Sequence, residues 1–313
     1  MKLRSIFRTI PILKRIYPSL FLKVTRLFNK NFFLYKFKSI NFNLDIRDPI
    51  DRSIFLFDFY EDEQIKYLCE IFKKNKINYF FDIGANSGIY SLIISKLFPK
   101  TLILSFEPVK HTFKKLKRNL SLNPKLKDIK IYNYGLSNKN LKLKMRALKK
   151  NNFIQSGGYA VTDNKTSPKN IHTEFAIFKK ADDKFKYKNK IICLKIDVEG
   201  HEIFTLDGLK KIIKNNKIFL QLEILPNNFI KTNKYLNNFE LFINLNVLAI
   251  LKAIFPKPII PQLTCFTNYS FLIFKTPINA SCGISTFPNC LPLAFPFFCL
   301  SNSFLFLSLA PPP

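Results

Sequence analysis

Two rhythms of apolar residues run through the middle of this chain. Short, largely apolar runs alternate with segments whose apolar residues fall three and four apart. The runs are Tyr79-Phe-Phe81 leading into Asp82, Thr101 to Phe106 closing on Glu107, Ile129 to Tyr134, Ile191 to Ile196 and Ile218 to Ile224. Near-continuous apolar runs of this length predict strands buried on both faces. Between them, Ile65, Leu68, Cys69 and Phe72 predict one helix, and Tyr90, Leu92, Ile93, Ile94 and Leu97 a second. Phe113, Leu116 and Leu120 predict a third, and the stretch Ile203 to Ile213 a fourth. Strand and helix in alternation predict a parallel sheet with helices on both faces, its strand C-termini gathered on one edge where open sheets of this kind bind ligands. A further helix is expected over 227–250 and a last strand from Asn268 to Lys275.

The pattern breaks in three places. Residues 138–190 are rich in Lys and Asn, with Leu141 to Met145 and Phe175 to Phe178 as short strands of a hairpin-like insertion. Residues 1–44 hold ten Lys or Arg and no acidic residue. Leu3, Ile6, Phe7 and Ile10 have helical spacing there, which Pro11 and Pro18 interrupt. This basic extension is not a signal peptide, because charge is scattered through its apolar positions. It reads either as a solvated extension packing on the domain or as an amphipathic segment at an anionic membrane. Residues 276–313 carry no charge at all, and their prolines and polar breaks read as a disordered or artefactual tail rather than a membrane anchor. The folded domain is expected between 45 and 275.

Composition adds a net charge of +29 over 313 residues. That attracts anions, and it makes an acidic glycan or membrane surface a candidate partner. No arginine-rich tract or RNA-binding aromatic motif accompanies it, so nucleic acid is not expected. The six cysteines show no C-x-x-C pair and no disulfide framework, which favours a reducing, cytoplasmic compartment, with peripheral contact at the inner membrane face as the variant the basic extension suggests.

Candidate chemistry sits at the strand ends. Asp82-x-Gly-Ala-Asn-x-Gly88 forms a turn between strand and helix, with Ser87 placed to cap the helix. Its glycines let backbone approach a ligand closely. Glu107 follows Gly88 by 19 residues at the end of the next strand, where an acidic residue can accept hydrogen bonds from a ribose. Gly84 and Gly88 stand too far apart for the dinucleotide pattern, which argues against a nicotinamide dehydrogenase. After the fourth strand comes Asp197-Val-Glu-Gly-His-Glu202. Glu199, His201 and, after the fifth strand, Glu223 are candidate bases. Asp197, Glu199 and His201 do not make a metal site, because the run crosses a strand-to-helix turn and its side chains diverge.

Together Asp82-x-Gly-Ala-Asn-x-Gly88, Ser105-Phe-Glu-Pro108, Asn133-Tyr-Gly-Leu-Ser137, Leu194-Lys-Ile-Asp-Val-Glu-Gly-His-Glu202 and Leu220-Gln-Leu-Glu223 resemble the FkbM family of S-adenosylmethionine-dependent methyltransferases, over roughly residues 45–275. The resemblance implies a Rossmann-like class I methyltransferase, an α/β fold with a seven-stranded, mostly parallel sheet whose last strand runs antiparallel, helices covering both faces. It implies S-adenosylmethionine along the strand C-termini. Asp82, Gly84, Asn86 and Gly88 would serve its methionine side, Glu107 its ribose, Asn133 and Tyr134 its adenine. Asp197 and Glu199 would face the methyl-transfer cleft. The reaction implied is O-methylation of a sugar hydroxyl in a glycan or natural product, in a bacterial setting. The other reading of the charge and termini is a non-catalytic glycan- or membrane-surface-binding protein on the same scaffold.

Overall fold

The computed structural model describes residues 10–150, 153–162 and 170–224, with short strands at 247–249, 252–253, 272–274 and 305–309. At its centre five parallel strands lie in the order β5 (Ile129–Tyr132), β4 (Leu102–Phe106), β3 (Tyr79–Ile83), β11 (Ile191–Ile196), β12 (Lys217–Ile224). The chain starts in the middle, at β3, winds outward through β4 and β5, then crosses back to β11 and β12. The point of reversal therefore lies between β3 and β11, and a crevice opens outside their C-terminal ends.

The strands are mostly apolar because both faces of the sheet are covered. Along β3, Phe80 packs to one side with Ile103, Cys193 and Phe219, while Phe81 packs to the other with Leu104, Leu194 and Leu220. The first side is closed by α3 (Asp62–Lys74) and α4 (Ile89–Leu97), the second by α7 (Glu202–Gly208) and α8 (Lys210–Lys214). Cys69 and Cys193 are buried thiols that behave as small core residues. Two short pairings extend β12, Lys252–Ala253 in parallel and Leu305–Leu309 antiparallel. Leu272–Phe274, inside the stretch expected to close the sheet, instead forms a separate antiparallel ribbon with Val247–Ala249. Most of the helix expected over 227–250 lies outside the described residues, as do residues 1–9 and most of the charge-free tail.

Several expectations shift by a few residues, each for a visible reason. The helix expected from Ile203 to Ile213 is two helices. Gly208 weakens its middle, and the Asp182 carboxylate accepts the N–H groups of Lys211 at 2.8 Å and Ile212 at 3.0 Å, so the second helix starts afresh from a cap supplied by another segment. Pro18 does not interrupt the basic extension. A continuous helix α1 (Pro11–Leu27) begins at Pro11, which suits a first helical position, and runs through Pro18. Packing of Tyr17 on Phe57 and of Phe21 on Phe55 offsets the missing backbone bond. These partners belong to α2 (Pro49–Phe57), a short helix that hydropathy spacing did not reveal.

The Lys-rich insertion is a small sheet of its own. β7 (Leu141–Lys150) and β10 (Ile171–Lys180) pair antiparallel over most of their length, longer than the short strands expected. β6 (Gly135–Ser137) joins β10 in parallel and ties this sheet to the end of β5. Two short strands, β8 (Phe153–Ile154) and β9 (Ala160–Val161), carry the chain back over the crevice.

Candidate functional site

A cleft of about 320 Å³ occupies the reversal point of the sheet. Its floor is the β3–α4 turn. Gly84 has φ +81°, and a Cβ there would lie 1.8 Å from the Asp197 carbonyl oxygen, so only glycine lets the β3 and β11 turns meet. Gly88 has φ +83°, and its Cβ would strike Leu116 at 2.3 Å. Gly88 stands behind the turn rather than on the cleft wall, and it shapes the loop without facing a ligand. Ser87 does not cap α4. The N-terminal residue before that helix is Gly88, and Asp82 takes the capping role from the strand end. Its Oδ2 accepts the Ser91 N–H at 3.1 Å and the Ser91 hydroxyl at 2.6 Å. Its Oδ1 is buried with no partner, and so is Asn86 Oδ1. Burial raises the Asp82 carboxyl above the ordinary carboxylate range despite the Lys195 charge nearby.

Glu107 is buried beside this turn. One carboxylate oxygen accepts the Asn86 N–H and the other the Val109 N–H, both at 2.9 Å. Each oxygen keeps a second lone pair for a ligand donor. Burial outweighs those two bonds and pushes the carboxyl up to about 7. Asn133 and Tyr134, expected beside an adenine, do not line the cleft. Asn133 is exposed and its amide donates to the Glu107 carbonyl at 3.0 Å, bracing the loop from outside. Tyr134 packs in an aromatic cluster with Phe106 and Tyr132, under Lys179. On that side Gly135, Phe178 and Val109 form the wall instead.

The β11 end contributes Asp197, Glu199 and His201, and β12 contributes Glu223, all of them on the cleft. Lys195 is 3% exposed, sits 4.7 Å from the Tyr90 ring centroid and donates to Asp197 Oδ2 at 2.9 Å. The neighbouring carboxylates, led by Asp197, raise its pKa against the cost of burial and hold it charged. Glu199 and Gly200 both have positive φ, +49° and +101°, in the turn that carries the carboxylate into the cleft. A non-glycine residue in this region is strained, and such strain clusters at functional sites. His201 is stacked between Phe204 and Phe178, with Nε2 2.9 Å from the Ser137 hydroxyl. Burial lowers its pKa to about 4, so the imidazole is neutral and weakly basic. Glu202 turns back to accept the Gly200 N–H at 2.7 Å and supports the turn.

Several functional side chains had no signature in the sequence. Tyr60 and Tyr90 meet edge to face at 6.2 Å on the wall opposite Glu107, and the Tyr90 hydroxyl donates to Glu61 at 2.7 Å. Lys195 did leave a trace, as the one charged residue in the run Ile191 to Ile196. The roof comes from the insertion. Asp48, ahead of α2, accepts from the Ser156 hydroxyl in a short hydrogen bond and from the Ser156 N–H at 3.2 Å. This bond lays Ser156 to Tyr159 across the cleft, against Ile50. The Tyr159 hydroxyl is buried there without a partner. Behind Asp48, Lys115 pairs with Asp51 at 2.7 Å, and burial raises the Asp51 carboxyl to about 6.

The cleft therefore carries Glu61, Asp82, Glu107, Asp197, Glu199 and Glu223 against one lysine, Lys195. Among the described residues no group of three His, Cys, Asp or Glu side chains is arranged to hold a metal.

A family model described as Methyltransferase FkbM domain matches residues 82–247, starting at the carboxylate that ends β3. The methyltransferase sdnD of Sordaria araneosa is 43% identical over 56 residues, which make up 18% of this chain and 22% of that protein. The chain thus spans about a fifth of the curated relative's length. Among solved structures, a SAM-dependent O-methyltransferase from Thermotoga maritima aligns with a TM-score of 0.43 at 10% identity, covering 92% of this chain and 82% of that one. TYW2 of M. jannaschii, solved in complex with AdoMet, aligns with a TM-score of 0.43 at 9% identity, covering 89% of this chain and 85% of that one.

Proposed function

The chain belongs to the FkbM methyltransferase family, and on that premise we propose that it uses S-adenosylmethionine to O-methylate a hydroxyl of an uncharged, sugar-like acceptor. The observation that supports the cofactor assignment is the set of buried, unpartnered polar atoms on residues that line the cleft: Asp82 Oδ1, Asn86 Oδ1 and the Tyr159 hydroxyl. Buried polar groups are normally hydrogen-bonded, so two acceptors and a donor gathered on the walls of one cavity suit a polar ligand. The volume suits a nucleoside-sized molecule, and the carboxylate-rich wall suits a cationic one.

Bound there, the cofactor supplies an electrophilic methyl group. The chain supplies the rest. Asp82 and Asn86 accept from the amino-acid end, and Glu107 accepts from the ribose with its free lone pairs. Ile50 and the segment Ser156 to Tyr159 exclude water. The acceptor hydroxyl must lose a proton as it attacks. Glu199 and Glu223, on the cleft at the C-terminal ends of β11 and β12, are the candidates to accept it.

Acceptor charge follows from the wall. A phosphate or carboxylate would meet like charge from Glu61, Glu199 and Glu223, while a ring of hydroxyls finds hydrogen-bond acceptors and the faces of Tyr60 and Tyr90. The acidic acceptor that the overall charge suggests is thus replaced by a neutral one. Calorimetry with S-adenosylmethionine and S-adenosylhomocysteine tests the cofactor, and absence of binding by both refutes it. Methyl transfer from labelled S-adenosylmethionine to neutral and to sulfated or phosphorylated oligosaccharides tests the acceptor. Preference for the charged set refutes neutrality. Turnover in Glu199→Gln and Glu223→Gln, each with cofactor affinity retained, identifies the proton acceptor.

A further inference from the structure

Helix α1 is amphipathic in an unusual sense, because the face it turns to the protein is not its most apolar one. Tyr17, Phe21 and Thr25 point inward, onto α2 and β1 (Phe32–Phe37). Ile12, Ile16, Leu20, Val24 and Leu27 recur at intervals of three and four and are 44–80% exposed. Phe28, 76% exposed, continues this surface past the helix end. A row of large aliphatic side chains along four turns is not the scatter of single apolar residues normal on a soluble surface.

Charge selects what covers it. Residues 1–44 hold ten Lys or Arg and no acidic residue. Lys14, Lys23, Arg26 and Lys30 are exposed on or just beyond the helix. No helix among the described residues is long and apolar enough to cross a membrane, and α1 with its 17 residues and internal proline would not span one. An apolar stripe with cations in and around it suits a helix lying in the plane of a bilayer, its aliphatic side chains among the acyl chains and its lysines reaching to anionic headgroups.

We propose that α1 docks this protein on the surface of an anionic lipid bilayer. Ile16 and Leu20 insert at the centre of the contact, and Lys23 and Arg26 pair with headgroup phosphates. Because α1 packs on α2, whose Ile50 lines the cleft, the docked face and the cleft share one short helix. The inference does not rest on the methyltransferase reading.

Full-length protein sedimented with vesicles of phosphatidylcholine alone, and of phosphatidylcholine mixed with phosphatidylglycerol, tests it. Binding is expected to the mixed vesicles and to weaken with salt. A chain of net charge +29 can adhere to anionic vesicles anywhere on its surface, so the decisive arm is apolar. The double variant Ile16→Asp, Leu20→Asp loses at least about tenfold in partitioning, since two buried aliphatic side chains are each worth more than one such factor. Its melting temperature should match the wild type, because both side chains point away from the fold. Lys23→Glu with Arg26→Glu weakens binding as well. Three outcomes overturn the proposal. One is binding unchanged by the apolar double variant. The second is self-association in light scattering that the same variant abolishes while vesicle binding is absent, which assigns the face to a second copy. The third is a photo-crosslink from position 16 to residues 276–313 with no lipid binding, which assigns it to the chain's own tail.

Discussion

Glu107 makes cofactor affinity a function of pH, and its environment sets the size of the effect. The carboxyl is buried and titrates at about 7, with backbone N–H groups on both oxygens. Ribose hydroxyls donating to the remaining lone pairs favour the ionised form. Binding then draws on the ionised fraction of the protein. With a pKa of about 7, the ratio (1 + 10^1.5)/(1 + 10^−0.5) makes affinity about 25-fold weaker at pH 5.5 than at pH 7.5, roughly 1.9 kcal/mol. The sign is that affinity falls as pH falls, approaching one log unit per pH unit below about 6. The Asp51 carboxyl, up to about 6, lies behind the roof and changes this slope only at its acid end. Titration calorimetry with S-adenosylhomocysteine across this range reads the slope directly, and repeating it in buffers of different ionisation enthalpy reads the proton released. Glu107→Gln removes the titration. Its amide also places a donor against one of the two backbone N–H groups, so it costs about 1–3 kcal/mol of stability and must be checked for folding. A flat profile in the wild type, or an unchanged slope in a folded Glu107→Gln protein, refutes the reasoning.

Gly84→Ala is expected to be among the most damaging single substitutions. The new methyl would lie 1.8 Å from the Asp197 carbonyl oxygen, and φ +81° disfavours any side chain. Displacing β11 from β3 on top of that strain costs several kcal/mol, about 3 or more, read as a fall in the urea midpoint. Ser156→Ala removes the link between roof and α2 and leaves Asp48 short of a donor. It should cost about 1 kcal/mol in stability and raise amide exchange across 153–161, measured by mass spectrometry. His201 is held at about 4, below its unfolded value near 6.5. Its contribution is therefore complete above about pH 6.5 and is lost as pH falls toward 4, an expected difference of about 2–3 kcal/mol relative to His201→Gln between pH 7 and pH 4, from paired denaturant melts.

The five central strands were legible because strands covered on both faces are mostly apolar, with few polar interruptions such as Lys195 and Gln221, and β11 and β12 sit where their apolar runs predict. Their order also explains why Gly84 and Asp197, 113 residues apart in the chain, meet at one carbonyl contact. What stayed hidden depends on contacts between distant segments. The cap from Asp82 to Ser91, the second start of α8 under Asp182, and the bond from Asp48 to Ser156 each join a side chain to a backbone group that local periodicity cannot pair with it. Asn133 and Tyr134 were placed by motif position alone, and in the structure Gly135 and Phe178 take that side of the cleft. Tyr60 and Glu61 lie where no hydropathic pattern distinguishes them from any turn before a helix.

On the proposed reading, net charge and cleft charge point to different acceptors, for a reason that magnitudes make plain. The 29 excess positive charges belong mostly to lysines on solvated faces. In physiological salt the field of an exposed charge fades over about 8 Å. Inside a partly buried cleft the effective dielectric is nearer 20, so a unit charge 4 Å from another contributes about 4 kcal/mol before solvation costs. A few carboxylates on the wall therefore govern which acceptor settles there, and a cationic surface around them governs only what the protein drifts toward. The two fields can serve different partners: the surface charge an anionic bilayer met through α1, the cleft a neutral hydroxyl-bearing acceptor beneath the Ser156 roof.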